Sequence, residues 1–77
     1  MKITYDEKTD AIYIRLLDGK YECRNLQLSD DVTLNIGKEE ELVGIEILDA
    51  TKNIGDGKIP SLILENMPYS IESIVQK

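Results

Sequence analysis

With 77 residues, the chain is long enough for one small domain, spanning residues 1–77, and no more. It has no histidine and one cysteine, Cys23, which excludes a His-containing catalytic triad, the commonest transition-metal ligand and an internal disulfide. Fifteen acidic against nine basic residues, a net charge of −6, argue against direct nucleic-acid binding, which needs clustered Lys and Arg to neutralise phosphates.

A domain of this size buries only about 60% of the surface its unfolded chain exposes. Its core is marginal, and oligomerisation is the common remedy where disulfides and metals are missing, so a homodimer is expected. A lone cysteine fits a reducing compartment. The opening "MKITYDEKTD" has no apolar signal region, and no run approaches the roughly 18 apolar residues of a membrane span. A cytoplasmic location with no membrane partner is the expectation. The acidity suits a small basic protein partner or a cation, although solubility alone explains it. No cofactor is implied.

Residues 2–48 read as successive strands. "KITY" carries Ile3 and Tyr5, and "AIYIRLL" carries Ile12, Ile14 and Leu16 on one face. Asp18-Gly19 is a two-residue type I′ hairpin signal. A loop there pairs Leu16 with Tyr21, Arg15 with Glu22 and Ile14 with Cys23, apolar against apolar and cation against anion. That register puts Leu26 and Leu28 on the wrong face, which calls for a bulge or a bend near Arg24–Asn25. In the next hairpin, "VTLNI" and "LVGIEIL" flank Lys38–Glu41. A four-residue loop pairs Ile36 with Val43, Leu34 with Ile45 and Val32 with Ile47, and sets Asn35 against Gly44 and Thr33 against Glu46. A one-residue slip would oppose apolar to polar side chains.

A short helix is expected from Ala50 to Ile54, capped by Asp49 or Thr51 and ended by Gly55 or Gly57. Residues 59–67 suit a strand or a helix face, with the strand favoured. Ile71, Ile74 and Val75 have helical spacing behind Ser70, which allows a short C-terminal helix. The fold class is therefore α+β, mostly β: an antiparallel meander of four or five strands with a short helix after the strand 42–48. The inner face collects Ile12, Ile14, Leu16, Tyr21, Cys23, Val32, Leu34, Ile36, Val43, Ile45 and Ile47. The outer face carries Tyr13, Arg15, Glu22, Arg24, Thr33, Asn35 and Glu46. Tyr and Arg favour interfaces, so Tyr13, Arg15, Arg24 and Glu46 form a candidate interaction surface beside the plainer reading of a solvated face.

Carboxylates supply the other candidates. Asp6 and Asp10, with Glu7 between them and Asp49 where a strand ends, form a weak polar cluster for a hard cation. The plainer reading is a turn whose Asp side chains accept from nearby backbone N–H groups, with Asp49 as a helix cap. Asp30-Asp31 is an acid/base pair only if enclosed, and "SDD" is ordinary turn composition. Glu39, Glu40 and Glu41 are a solvated run. "IGDGK" lacks the spacing of a phosphate-binding loop. Cys23 has no histidine as base, and the hairpin register places it in the core as inert packing. No catalytic or metal-ligating residue is assigned.

"ITYDEKTDAIYIRL" followed by "VTLNIGKEEELVGIEILDATK" resembles the bacterial and archaeal family labelled domain of unknown function 2283. The matching residues are Tyr5, Asp6, Asp10, Ala11, Tyr13, Ile14, Arg15 and Leu16, then Val43, Gly44, Ile45, Glu46, Ile47, Leu48, Asp49 and Ala50. The likeness covers residues 2–54, and the segment 55–77 matches less clearly. It implies a compact β-rich domain. Through members encoded beside small toxin-like proteins, it also implies an antitoxin-like, neutralising role. Three functions follow, in order of preference: a non-catalytic protein-interaction module, a small-ligand or divalent-cation-binding domain, and, last, an enzyme using paired carboxylates.

Overall fold

The structure, a computed structural model, describes residues 1–55, 57, 59, 61–63 and 65. Among them are five strands, β1 (Lys2–Asp6), β2 (Ala11–Arg15), β3 (Cys23–Gln27), β4 (Val32–Gly37) and β5 (Leu42–Ile47), followed by one helix, α1 (Ala50–Asn53). All pairings are antiparallel, in the order β1-β2-β5-β4-β3. The α+β, mostly-β expectation holds. β3, β4 and β5 run as a meander, and the β1–β2 hairpin joins it through β2 and β5.

The order follows from burial. "AIYIR", "LVGIEI" and "VTLNIG" hold the buried and half-buried residues of the sheet and take the three central places, while "KITYD" and "CRNLQ" stay at the edges with every residue exposed. Two apolar rows result on one face: Tyr5–Ile12–Ile47–Val32, and Ile3–Ile14–Ile45–Leu34–Leu26. Each Ile of β2 gains an Ile on β5, which removes more apolar surface from water than any partner on β3 would.

The β4–β5 register is as the alternation requires at Val32–Ile47, Thr33–Glu46, Leu34–Ile45 and Asn35–Gly44. Near the turn it shifts, and Ile36 opposes Leu42 instead of Val43. The cause is the loop. Gly37 N–H donates to Glu41 O at 2.8 Å and Glu40 is left-handed at φ 65°, so three residues, not four, close the hairpin. A bulge at Val43 restores the apolar face. Val43 is fully buried, and its carbonyl accepts from Leu16 N–H at 2.8 Å, tying the end of β2 to the bulge.

The hairpin read into residues 14–23 does not form. Asp18 lacks the positive φ that a type I′ turn needs, and β5 occupies the edge of β2 that β3 would have used. Freed from that register, β3 takes the opposite parity. Leu26 faces Leu34, Leu28 sits beside Val32 (its N–H donates to Val32 O), and no bulge is needed at Arg24–Asn25. Tyr21 and Cys23 are exposed rather than inner residues. Arg24, opposite Ile36, lies on the apolar face rather than with Tyr13.

The buried apolar side chains among the described residues are Ile12, Ile36, Val43 and Ala50. α1 is one turn, shorter than Ala50–Ile54, and Gly57 is left-handed beyond it at φ 80°. Residues 59, 61–63 and 65 are in neither strand nor helix. The rest of the 59–67 segment and the terminal helix read into 70–77 lie outside the described residues. No described helix is long and apolar enough to cross a membrane.

Candidate functional site

The polar face is organised by a hydrogen-bonded row. Tyr13 on β2 donates its hydroxyl to Asn35 Oδ1 on β4 at 2.7 Å, and Asn35 Nδ2 donates to Asn25 Oδ1 on β3 at 2.9 Å. The phenol must cross β5 to reach Asn35, and it does so over Gly44. A Cβ at Gly44 would overlap Tyr13 Oη and Cζ, so this central-strand glycine is the space through which the ring passes. Glu46 is exposed on the same face, between Tyr13 and Thr33. Hollows open to solvent flank Tyr13, one lined by Lys2, Thr4, Arg15, Asp18 and Gly19, the other by residues that include Thr4, Asp6, Thr9 and Glu46.

Arg15 does not present its charge freely. Nε donates to Leu17 O at 2.6 Å and a terminal nitrogen donates to Gly19 O, so the guanidinium shapes the loop after β2. Arg24 pairs with Glu40 at 2.7 Å, with both side chains more than half exposed. The candidate interaction surface is therefore divided: Tyr13, Arg15 and Glu46 share one face, and Arg24 belongs to the other.

The second organised cluster is at the β1–β2 turn. Asp10 is left-handed at φ 54°. Its carboxylate accepts from Tyr5 Oη at 2.9 Å, from Thr51 Oγ1 at 2.7 Å and from Thr51 N–H at 3.2 Å, and its carbonyl accepts from Ala50 N–H at 2.9 Å. Asp10 thus supplies the start of α1 with the acceptor that Asp49 does not. Asp49 is itself left-handed at φ 48° and makes no side-chain capping bond. The Thr51 hydroxyl, then the Tyr5 hydroxyl and the Thr51 N–H, hold the Asp10 carboxyl below the usual carboxylate range, against partial burial that acts the other way. The bond to Asp10 pushes the Tyr5 phenol up.

Asp6, Asp10 and Asp49 do not form a ligand set. Asp6 Oδ1 accepts from Lys8 N–H at 3.0 Å, as an Asp-initiated turn requires. No group of three or more Cys, Asp or Glu among the described residues is placed to hold a metal ion. In the Asp30-Asp31 turn, Ser29 Oγ accepts from the N–H groups of Asp31 and Val32, and Asp31 accepts from Asn53 Nδ2 at 3.2 Å.

Tyr5, Thr51 and Asn25 are absent from the sequence-based candidate sites, whereas Asn35 stands among the outer-face residues. Asn35 opposite Gly44 was already visible in the β4–β5 register. Asn25 needed the true parity of β3, and Thr51 needed the contact between α1 and a turn 41 positions earlier.

Both recognisable motifs of the chain end in these clusters. Asp10 of the first binds Ala50 and Thr51 at the end of the second, and Tyr13 of the first passes over Gly44 of the second. No curated protein and no solved structure shows significant similarity to the chain. A family model described as "Protein of unknown function (DUF2283)" matches residues 2–50. That span holds all five strands and the Asp10–Ala50 contact, and the chain belongs to this family.

Proposed function

We propose that the domain works by binding protein rather than by catalysis. The observation that supports this most directly is the apolar row Ile3–Ile14–Ile45–Leu34–Leu26, which runs from one sheet edge to the other and ends in side chains 43% and 42% exposed. Leu28, beside it, is 61% exposed. Apolar surface of this continuity gains roughly 25 cal/mol for each Å² that a partner covers.

The polar groups fit the same reading. Tyr13, Arg15 and Asp10 are engaged with other parts of the chain, so their place in the motifs has a structural explanation that needs no reaction.

A second copy is the first partner expected, since so small a core gains most from self-association. A small basic protein is the heterologous partner that a net charge of −6 favours; the family resemblance is what suggests that it is toxin-like, and the lone cysteine fits a meeting in the cytoplasm. The test is recovery of the tagged chain from its host, followed by light scattering. Self-association, or a stoichiometric basic protein released by salt, is the expected result. A monomer at all concentrations with nothing retained would sink the reading.

A further inference from the structure

We infer that a second copy joins along β1, antiparallel to its own β1 and centred on Thr4, so that two five-stranded sheets become one continuous sheet. This rests on the self-association proposed above and names the edge, the register and the residues.

β1 is an edge strand whose five residues are all exposed. The direction of its backbone groups follows from the ladder. Leu16 N–H donates to Val43 O, so along β2 the groups of Leu16, Ile14 and Ile12 point to β5, and those of Arg15, Tyr13 and Ala11 point to β1. Their β1 partners are Lys2, Thr4 and Asp6. The N–H and C=O groups of Ile3 and Tyr5 therefore point away from the sheet and have no partner among the described residues, a template for another strand.

"KITYD" is complementary to itself when reversed. Centred on Thr4, Ile3 opposes the partner's Tyr5, and the outward backbone groups of these two residues are those that a hydrogen-bonded antiparallel pair exchanges. Ile3 and Tyr5 lie on the apolar face, so both apolar rows continue into the second copy. Lys2, Thr4 and Asp6 lie on the polar face, where Thr4 meets the partner's Thr4 and Lys2 meets the partner's Asp6, twice by symmetry. Within one chain Lys2 faces Arg15, a like charge, and Asp6 faces Ala11. Neither makes an ion pair with another described residue. The partner's Asp6 supplies the anion that Lys2 lacks.

The opposite edge has no such match. "CRNLQ" reversed on Asn25 sets Arg24 against Leu26, and β3 is flanked by the ion pairs Arg24–Glu40 and Lys38–Glu22, charges of the kind that discourage edge pairing.

Charge exchange tests this directly, read as mass by light scattering and sedimentation, with thermal melting as the control for folding. Lys2→Glu and Asp6→Lys each place like charges together twice and raise the dimer dissociation constant by about tenfold. Mixed, the two variants restore association as a heterodimer. The introduced glutamate of one chain then meets the introduced lysine of the other, and the remaining Asp6 meets the remaining Lys2. Ile3→Pro, which removes an outward N–H and leaves the bonds to β2 intact, abolishes dimers. If the natural chain dimerises and all three variants dimerise equally well, β1 is not the interface, although self-association stands. If the natural chain is monomeric throughout, both ideas fall.

Discussion

On the polar face of the sheet, Tyr13, Asn35 and Asn25 satisfy one another from β2 to β3, passing over Gly44. On the apolar face, two rows of side chains stack across the same strands and end in solvent at Ile3, Tyr5 and Leu26. The polar row is closed: each member has its partner within the chain. The apolar rows are open, because in one layer of sheet an edge residue has a neighbour on one side only. The contrast locates what such a domain has left to offer. A hydrogen-bonding group that has found its partner gains little from a visitor, whereas an apolar end gains with every Å² covered.

The apolar face is most sensitive at Val43, which is fully buried at the bulge and whose carbonyl accepts from Leu16 N–H. Val43→Ala is expected to cost about 2 kcal/mol, read as a lower urea midpoint at unchanged slope. If the cost is negligible, the apolar face is not the side that holds the sheet together.

On the polar face the corresponding probe is Gly44→Ala. The new methyl displaces the Tyr13 ring and breaks its bond to Asn35, a loss of about 1–2 kcal/mol. In a Tyr13→Ala background the cost of Gly44→Ala shrinks, because the close neighbour left to the new methyl is Asn35 Oδ1 at 3.1 Å, the end of a side chain that has lost its bond to Tyr13, and a strand glycine otherwise gains from a side chain. A double-mutant cycle in denaturant measures that coupling. Equal costs in both backgrounds would show that the ring does not need the gap.

The smallest effect is a pH dependence at the turn that joins the two motifs. Asp10 has a folded-state pKa below its unfolded value, so its contribution is complete above the unfolded pKa of about 4 and is lost as pH falls through the folded pKa. Asp10→Asn keeps a residue tolerant of the left-handed conformation but removes the charge. The melting temperature of this variant should fall less steeply below about pH 4 than that of the natural chain. Parallel acid profiles would assign the acid sensitivity to other carboxylates.

Much of this was legible residue by residue. Val32, Leu34, Ile45 and Ile47 alternate with Thr33, Asn35 and Glu46, and one slip would turn every apolar side chain to water, so most of the β4–β5 register could be read directly. The shift at Ile36 could not, because a three-residue loop with Glu40 left-handed competes closely with a four-residue one. The hairpin of β2 with β3 passed the same pairwise test and does not exist. Its pairs were acceptable, but pairwise matching does not ask whether a more distant strand matches better. Asp10 was visible as a turn acid. Its role at α1 depends on Thr51, and no local pattern connects the two.

The class of the domain is written in the chain: strands with period-two apolar alternation, a short helix after the last of them, and no histidine for the chemistry that most often needs one. Those features are local, set by the backbone conformations and side chains of neighbouring residues. The strand order, the parity of β3, the open edge at β1 and the junction of the two motifs at Asp10 emerged only in three dimensions. Each of these is a competition between partners far apart in the chain. Total burial decides such contests, and a single segment does not contain it.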